Sequence, residues 1–347
     1  MPRASTKLLT FLLALAAWAP SATAPVSAQQ VDRDPFVPVF TVDFPDPFVF
    51  EHEGRFLAYA TNSGGSVNVQ MAESTNLVDW RRIEGHDAMP ELPSWARSGF
   101  TWAPELLRTD GGYVLYFSAR HRESGLQCVG AATSSSPLGP FTSQAAEPLV
   151  CQYDLGGTID GSPFRDSDGQ LYFYYKNDGN NPRFGKPTDI FVKRMSPDGL
   201  TLIGEPVALL RNDTDWEAHV IEAPTMVRHG EGYTLFFSAN HFGWEADQRL
   251  SRYAMGYASC DGPMGPCTDS PDNPVLYSYN NREAGCLSGP GHQMVFEARG
   301  RSFIAFHGWA ATPGCRRTDP RRYMYIAPLG WRGAEPQIAV SLRPTGE

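Results

Sequence analysis

Four carboxylates and one imidazole stand at nearly the same place in a recurring pattern of this chain. Asp46 lies 8 residues before Gly54, Glu105 lies 7 before Gly112, Asp160 lies 9 before Gly169, Glu222 lies 10 before Gly232, and His292 lies 8 before Gly300. Each has a proline or a glycine next to it or close by: Pro47, Pro104, Gly161, Pro224 and Gly291. An acid before proline, taken singly, marks a turn or a solvated loop. Four acids gathered at one place are different, because their repulsion is costly unless a cation or a function offsets it. Crowding also raises the pKa of one of them. Two carboxylates of unequal pKa can serve as general acid and general base, the pair that hydrolyses glycosidic bonds. No Ser-His-Asp order, phosphate loop or dinucleotide fingerprint competes.

The elements that must position these residues form an internal repeat. Tyr113-Val-Leu-Tyr-Phe-Ser-Ala-Arg-His121 and Tyr233-Thr-Leu-Phe-Phe-Ser-Ala-Asn-His241 agree at six of nine positions, at an offset of 120. Pro137-Leu-Gly-Pro140 matches Pro263-Met-Gly-Pro266 at an offset of 126. The offset spans two repeats, because a turn glycine followed by an aromatic or β-branched strand recurs at 54, 112, 169, 232 and 300, with spacings of 58, 57, 63 and 68. Each glycine suits a hairpin turn at positive φ. Val67-Asn-Val-Gln-Met71 alternates as a half-buried strand should. About sixty residues hold four short strands, and five such units predict an all-β, five-bladed propeller in a single domain. A two-domain sandwich does not account for five evenly spaced hairpins. In a propeller the first strand of each blade lines the central channel, so the five residues converge on one axis.

Composition agrees with this architecture. The 347 residues include 41% apolar and 19% charged side chains, 12% aromatics, 33 Gly and 29 Pro. That is enough for a core and suits short strands with tight turns. The net charge of −9 argues against nucleic acid as a partner. Arg3 and Lys7, the apolar stretch 8–19 and the small residues Val26-Ser27-Ala28 read as a secretory signal over 1–28, cleaved near Ala28. Cleavage takes the net charge from −9 to −11 and leaves a propeller over 29–347, exported to the extracellular space or periplasm. No later apolar run is long enough for a membrane helix. The six cysteines suggest three disulfides, and sequence proximity suggests Cys128–Cys151, Cys260–Cys267 and Cys286–Cys315. Zinc is disfavoured because no C-x-x-C pair occurs. Asp166-Ser-Asp-Gly169 opens like a calcium loop, but Asn177 occupies its twelfth position, so it reads as a hairpin turn. Asn212-Asp-Thr214 is a glycosylation sequon in a host that glycosylates exported proteins.

At the acids, the sequence resembles glycoside hydrolase family 43, five-bladed propeller enzymes acting on arabinosides and xylosides. Phe44-Pro-Asp46-Pro47, Thr101-Trp102-Ala-Pro-Glu105, Ile159-Asp160-Gly-Ser-Pro-Phe164, Ile221-Glu222-Ala-Pro224 and Gly289-Pro-Gly-His292 are similar to its five blade motifs, in order. The resemblance implies Asp46 as general base, Glu222 as general acid and Asp160 as the residue that orients the acid and modulates its pKa. It also implies inversion at the sugar. Trp102, Phe44 and Glu105 are the expected substrate contacts, and Glu105 has no catalytic role. Arg316, Arg317 and Arg322 are candidates for an arginine against the substrate. His292 is the candidate ligand of a structural Ca²⁺ in the central channel, with water completing the shell; no cofactor is expected in the chemistry. Asp43, three residues from Asp46, is the rival base, but odd spacing in a strand points the two to opposite faces. Phe242, Trp244 and Trp309 are expected rim aromatics. The implied substrates are arabinan, arabinoxylan or xylo-oligosaccharides, with the arabinosides favoured. A β-xylosidase and a non-catalytic carbohydrate-binding propeller are the alternatives.

Overall fold

The chain is seen in a computed structural model that describes Met1, residues 36–339, 341 and 342, apart from 63, 65–66, 245–249, 282–284 and 313–314. The expected leader and its cleavage point therefore lie outside the described residues, as do the first residues of the expected mature chain.

Turn glycines and apolar strands build five antiparallel sheets in succession. The first holds β1 (Phe48–His52), β2 (Arg55–Ala60), β3 (Gln70–Ser74) and β4 (Arg81–Arg82). The second holds only three strands, β5 (Ala96–Thr109), β6 (Gly112–His121) and β7 (Gln127–Ser134). The third holds β8 (Thr158–Arg165), β9 (Leu171–Asn177), β10 (Asp189–Met195) and β11 (Leu202–Arg211). The fourth holds β12 (Ile221–His229), β13 (Gly232–Ala239), β14 (Ala254–Cys260) and β15 (Cys267–Asp269). A small hairpin of β16 (Tyr279–Asn281) and β17 (Gly285–Leu287) precedes the fifth. The fifth holds β18 (Gly291–Ala298), β19 (Arg301–Thr312), β20 (Arg316–Arg332) and β21 (Glu335–Ile338).

The first strands β1, β5, β8, β12 and β18 each neighbour the next, and β18 neighbours β1, so the sheets close as a five-bladed propeller. The seam is sewn by the N-terminal segment. Phe40 pairs antiparallel with Met324 of β20, with Val39 N–H to Met324 O at 2.9 Å and Met324 N–H to Phe40 O at 3.1 Å. Second strands are sandwiched between neighbouring blades, which is why they are apolar without alternation: all seven residues of β9 are buried. Aromatic contacts such as Tyr116 with Phe173, ring centroids 4.8 Å apart, join adjacent blades.

Three local expectations change. The fourth turn takes its positive φ at Gly230 (φ 59°), two residues before Gly232. The alternating stretch 67–71 becomes strand only from Gln70, because the Asp87 carboxylate accepts the N–H groups of Asn68 (2.7 Å) and Val69 (3.0 Å). The second blade has three strands, although Thr142 forms an isolated bridge with Thr133 where a fourth would run. The Asp166–Gly169 stretch is a hairpin turn, closed by Gly169 N–H to Asp166 O at 2.9 Å.

All six cysteines are paired, as Cys128–Cys151, Cys260–Cys267 and Cys286–Cys315. Intact-mass spectrometry of the non-reduced protein should find it six hydrogens lighter than the fully reduced chain, two per bridge. A mass equal to that of the reduced chain would contradict the pairing.

Candidate active site

The first strands carry a repeated irregularity that aims side chains into the channel. In blades two to five the ladder skips two residues of the first strand against one of the second: 103–104, 160–161, 223–224 and 292–293. Such a bulge bends the strand and breaks side-chain alternation. Its first residue has positive φ in each case: Ala103 (47°), Asp160 (58°), Ala223 (53°) and His292 (49°). Asp46 (56°) is the counterpart in blade one, just before β1. The second bulge residue is often proline (104 and 224), which suits a position making no ladder bond.

The bulges correct the single register read from the sequence. Asp46, Asp160 and His292 occupy the positive-φ position, whereas Glu222 stands one residue before it and Glu105 two after it. Counting back from turn glycines could not resolve this, because the hairpins differ in length. Glu222 is therefore equivalent to Trp102, Ile159 and Gly291 rather than to Asp160. Gly161 and Gly291 serve space rather than φ. A Cβ on Gly161 would lie 2.4 Å from Phe173 Cζ, and one on Gly291 would lie 2.1 Å from Tyr253 Cε1.

Positive φ at a non-glycine residue costs roughly 1 kcal/mol or more unless other bonds hold it. Each of the five is held through its own N–H by the preceding blade. Ala103 N–H donates to Thr61 Oγ1 (2.9 Å), Asp160 N–H to Ser118 Oγ (3.1 Å), His292 N–H to Ser238 Oγ (2.8 Å) and Asp46 N–H to His307 Nδ1 (3.1 Å). These acceptors lie six or seven residues after successive turn glycines. Blade three places Lys176 at that position, and an ammonium cannot accept. Ala223 N–H donates instead to Asp160 Oδ2 at 2.9 Å.

A cavity of about 650 Å³ opens over these bulges, within the usual size of a ligand site. Asp46, Trp102, Asp160, Glu222, His292 and Arg322 line it together. Asp46 accepts a hydrogen bond from Thr61 Oγ1, and its Oδ1 faces Arg322 (3.1 Å), His307 Nδ1 (3.2 Å) and His292 Nδ1 (3.5 Å). Burial would raise its pKa, but Arg322 first and then His292 outweigh that and hold the carboxyl well below the usual range. Glu222 is gripped at both oxygens, by Tyr253 Oη at 2.8 Å on Oε1 and by the fully buried Lys176 Nζ at 3.2 Å on Oε2. Lys176 is further held by Asn180 Oδ1 at 2.8 Å. Burial first, and Glu222 nearby, push Asp160 up to about 6 against the opposing charges of His292 and Lys176. Burial and Arg322 depress His307 to about 4, which keeps that imidazole neutral near pH 7.

Other expected residues fall elsewhere. Phe44 is wholly buried and packs edge-on against Phe40 at 5.3 Å, so it cannot touch a substrate. Glu105 does not line the cavity. It bonds Ser162, and burial pushes its carboxyl up to about 8. Asp43 Oδ1 accepts the Arg322 N–H at 2.9 Å, which makes it an anchor for the arginine. Of the three candidate arginines, Arg322 lines the cavity, and its guanidinium lies 5.8 Å from the Trp309 ring. Phe242 lines the rim, with its carbonyl accepting Trp309 Nε1–H at 2.9 Å, and Trp244 meets Trp309 edge-on at 6.4 Å. Lys176 and His307 escaped the sequence reading although their spacing from the turn glycines was available. Tyr253 left no such signal.

The donor set for an axial cation is thin. His292 offers one imidazole, whose Nδ1 already faces Asp46, and among the described residues no three convergent acid or histidine ligands surround it. The residues present do not build a calcium cage there, and no step of the chemistry below runs through such an ion.

Comparison with known proteins agrees with this geometry. The chain is 29% identical over 231 residues to xylosidase/arabinosidase 43A of Humicola insolens, covering 61% of this chain and 67% of that protein. It is 22% identical over 290 residues to an extracellular exo-α-(1→5)-L-arabinofuranosidase of Cellvibrio japonicus, covering 78% and 80%. The crystal structure of a thermostable family-43 glycoside hydrolase superposes with a TM-score of 0.74 at 28% identity, covering 89% of this chain and 98% of that one. The family model of glycosyl hydrolases family 43 matches residues 36–335, and the chain belongs to that family.

Proposed function

We propose that this glycoside hydrolase cleaves pentose polysaccharides or oligosaccharides of the arabinan and arabinoxylan type, as an α-L-arabinofuranosidase or arabinanase acting with inversion. One observation carries the reading: two carboxylates share a cavity in unequal settings, Asp46 facing an arginine and two histidines, Glu222 gripped by a phenol and an ammonium. Asp46, kept ionised, takes a proton from water as the water attacks the anomeric carbon. Glu222 gives its proton to the departing oxygen on the opposite face. Inverting chemistry needs such carboxyls roughly 6.5–9.5 Å apart, with the water between them and the sugar. Once Glu222 has lost its proton, Lys176 meets the new charge. Asp160 works through the backbone, since its bond to Ala223 N–H fixes the residue immediately after the acid. Trp102 and Phe242 present apolar faces to a sugar ring, and Arg322 reaches its hydroxyls.

A β-xylosidase is the second reading, supported by the relative named xylosidase/arabinosidase. Export through the leader at 1–28 belongs to the same proposal, in line with relatives named as extracellular. Aryl α-L-arabinofuranoside, aryl β-D-xyloside, arabinan and xylan oligomers should be offered in parallel. The arabinosides are expected to turn over fastest, with the product anomer inverted when read by NMR at early times. Retention would overturn the mechanism, and β-xyloside preference would favour the second reading.

Separate roles for the two acids give separate phenotypes. Glu222→Ala should impair substrates with poor leaving groups far more than activated aryl glycosides. Asp46→Ala should slow every substrate by roughly 10²–10⁴-fold or more, whatever its leaving group. Full activity in Asp46→Ala would refute the site.

The pH dependence follows from Arg322. It holds the Asp46 pKa down, so Arg322→Leu lets Asp46 take a proton at higher pH. Activity needs the carboxylate, so the acid limb of kcat/KM should move to higher pH in this variant. An unmoved limb would show that Asp46 is not the base.

A further inference from the structure

A second group of acids lies away from the cavity, where the loop 212–220 leads from β11 into β12. Asp213 and Glu217 of this loop meet Asp269, the last residue of β15, with one ligand oxygen from each within 4.8 Å of the others. Glu217 is wholly buried, and the two oxygens of its carboxylate differ. Oε2 accepts the N–H groups of Asp213 (2.9 Å) and Thr214 (3.0 Å), whereas Oε1 is buried without a hydrogen-bond partner. Asp269 Oδ1 is likewise buried without one. A buried carboxylate oxygen left unpaired costs on the order of 1–3 kcal/mol, and two of the three acids each carry one.

Among the described residues no arginine forms an ion pair with these three acids, although Arg211 acts on Asp213 through space. Arg211, two residues before Asp213, grips both oxygens of Asp189, at 2.6 and 3.2 Å. The backbone is nonetheless fixed as if around a guest. Asn212 Oδ1 accepts Thr188 N–H at 2.7 Å, and its Nδ2 donates to Ala218 O at 2.9 Å. The same bonds occupy the side chain that the sequon would glycosylate. Two residues before Asp269, the Cys260–Cys267 bridge pins β15 to β14.

We propose that Asp213, Glu217 and Asp269 form a calcium site that ties the loop before β12 to the outermost strand of the fourth blade. Three carboxylates with no nitrogen or sulfur donor suit a hard cation. Exposed Asp213 gives the ion an entrance and leaves room for waters in its shell. Calcium, with its flexible geometry, fits a site built from one loop and one strand better than magnesium, which demands a regular octahedron. The loop runs into Ile221 and Glu222, so the ion would steady the approach to the catalytic strand from outside the cavity. This inference does not depend on the substrate or mechanism proposed above.

The test uses the whole protein, stripped with EGTA and then supplied with about 5 mM CaCl₂, above the range in which extracellular modules bind the ion. Its melting temperature should rise by roughly 2–6 °C, with a smaller rise in MgCl₂. Calorimetric titration should find one calcium that Asp269→Asn and Asp213→Asn each fail to bind. Asp213 is exposed, so its variant reports even if Asp269→Asn folds poorly. His292→Ala should keep both the binding and the thermal increment. Unchanged calcium binding in the two Asp variants, loss of it in His292→Ala alone, or no binding by stripped wild type would overturn the assignment. The last result, with Asp269→Asn melting higher than wild type, would mean that the carboxyls share protons instead.

Discussion

The site depends on one repeated hydrogen bond. In every blade a residue at positive φ is held by its N–H against a side chain of the preceding blade, and these five bonds run around the channel. Four of the acceptors stand at one equivalent position, and the fifth does not. Where symmetry calls for a hydroxyl or imidazole, blade three places Lys176, which cannot accept. The vacant role passes to the Asp160 carboxylate, and the lysine is free to reach Glu222. A single departure from five-fold symmetry thus supplies the cation beside the proposed acid and the brace behind it. Geometry and electrostatics at Glu222 share one origin.

The same ring sets two kinds of carboxylate apart without separating them in space. Asp46 faces Arg322 and His292, which outweigh its burial, while burial first of all pushes Asp160 and Glu105 up to about 6 and about 8. Charge placed by neighbouring blades, rather than depth of burial alone, decides which carboxyl stays ionised. His307 illustrates the coupling. Burial and Arg322 keep its imidazole neutral, so it can accept the Asp46 backbone bond and remain within reach of the carboxylate.

What could be read from the sequence was whatever the repeat displays locally. Turn glycines, apolar second strands and short-range cysteine pairs are properties of neighbouring residues, so the five blades and three disulfides were legible. Asp46, Asp160, Glu222 and Trp102 were legible because each lies in a motif at a blade entrance. The register of the bulges was not, since it depends on two-against-one pairing that hairpins of unequal length obscure. Aligning Ala103-Pro104 with Ala223-Pro224 and Asp46-Pro47 would have exposed it. Phe44 was misplaced because its expected role came from its motif alone, and a motif does not tell whether its aromatic packs inward, as Phe44 does against Phe40. Tyr253 was hidden, and Arg322 could not be told from Arg316 and Arg317, because the partners of Arg322 and Tyr253 lie 276 and 31 residues away, across strands that only the fold brings together.

Those separations carry a consequence for how the site is made. Asp46 sits at the start of the first blade, yet the charged and histidine partners that hold it ionised all come from the fifth. Arg322 is itself held by the first blade's approach, through Asp43 Oδ1 on its N–H, and Phe44 N–H donates to Arg322 O at 2.9 Å. The bonds between Phe40 and Met324 that close the ring lie in the same stretch of backbone. The proposed base is therefore assembled at the closing seam of the propeller. A chain whose blades had formed but whose ends had not met would contain Glu222, Lys176 and Asp160 in place. It would still leave Asp46 outside the buried, cation-lined setting in which Arg322 offsets the cost of burying its charge. Closure of the ring and readiness of the base are one event, which gives the long-range pairing of the two ends a chemical as well as a structural role.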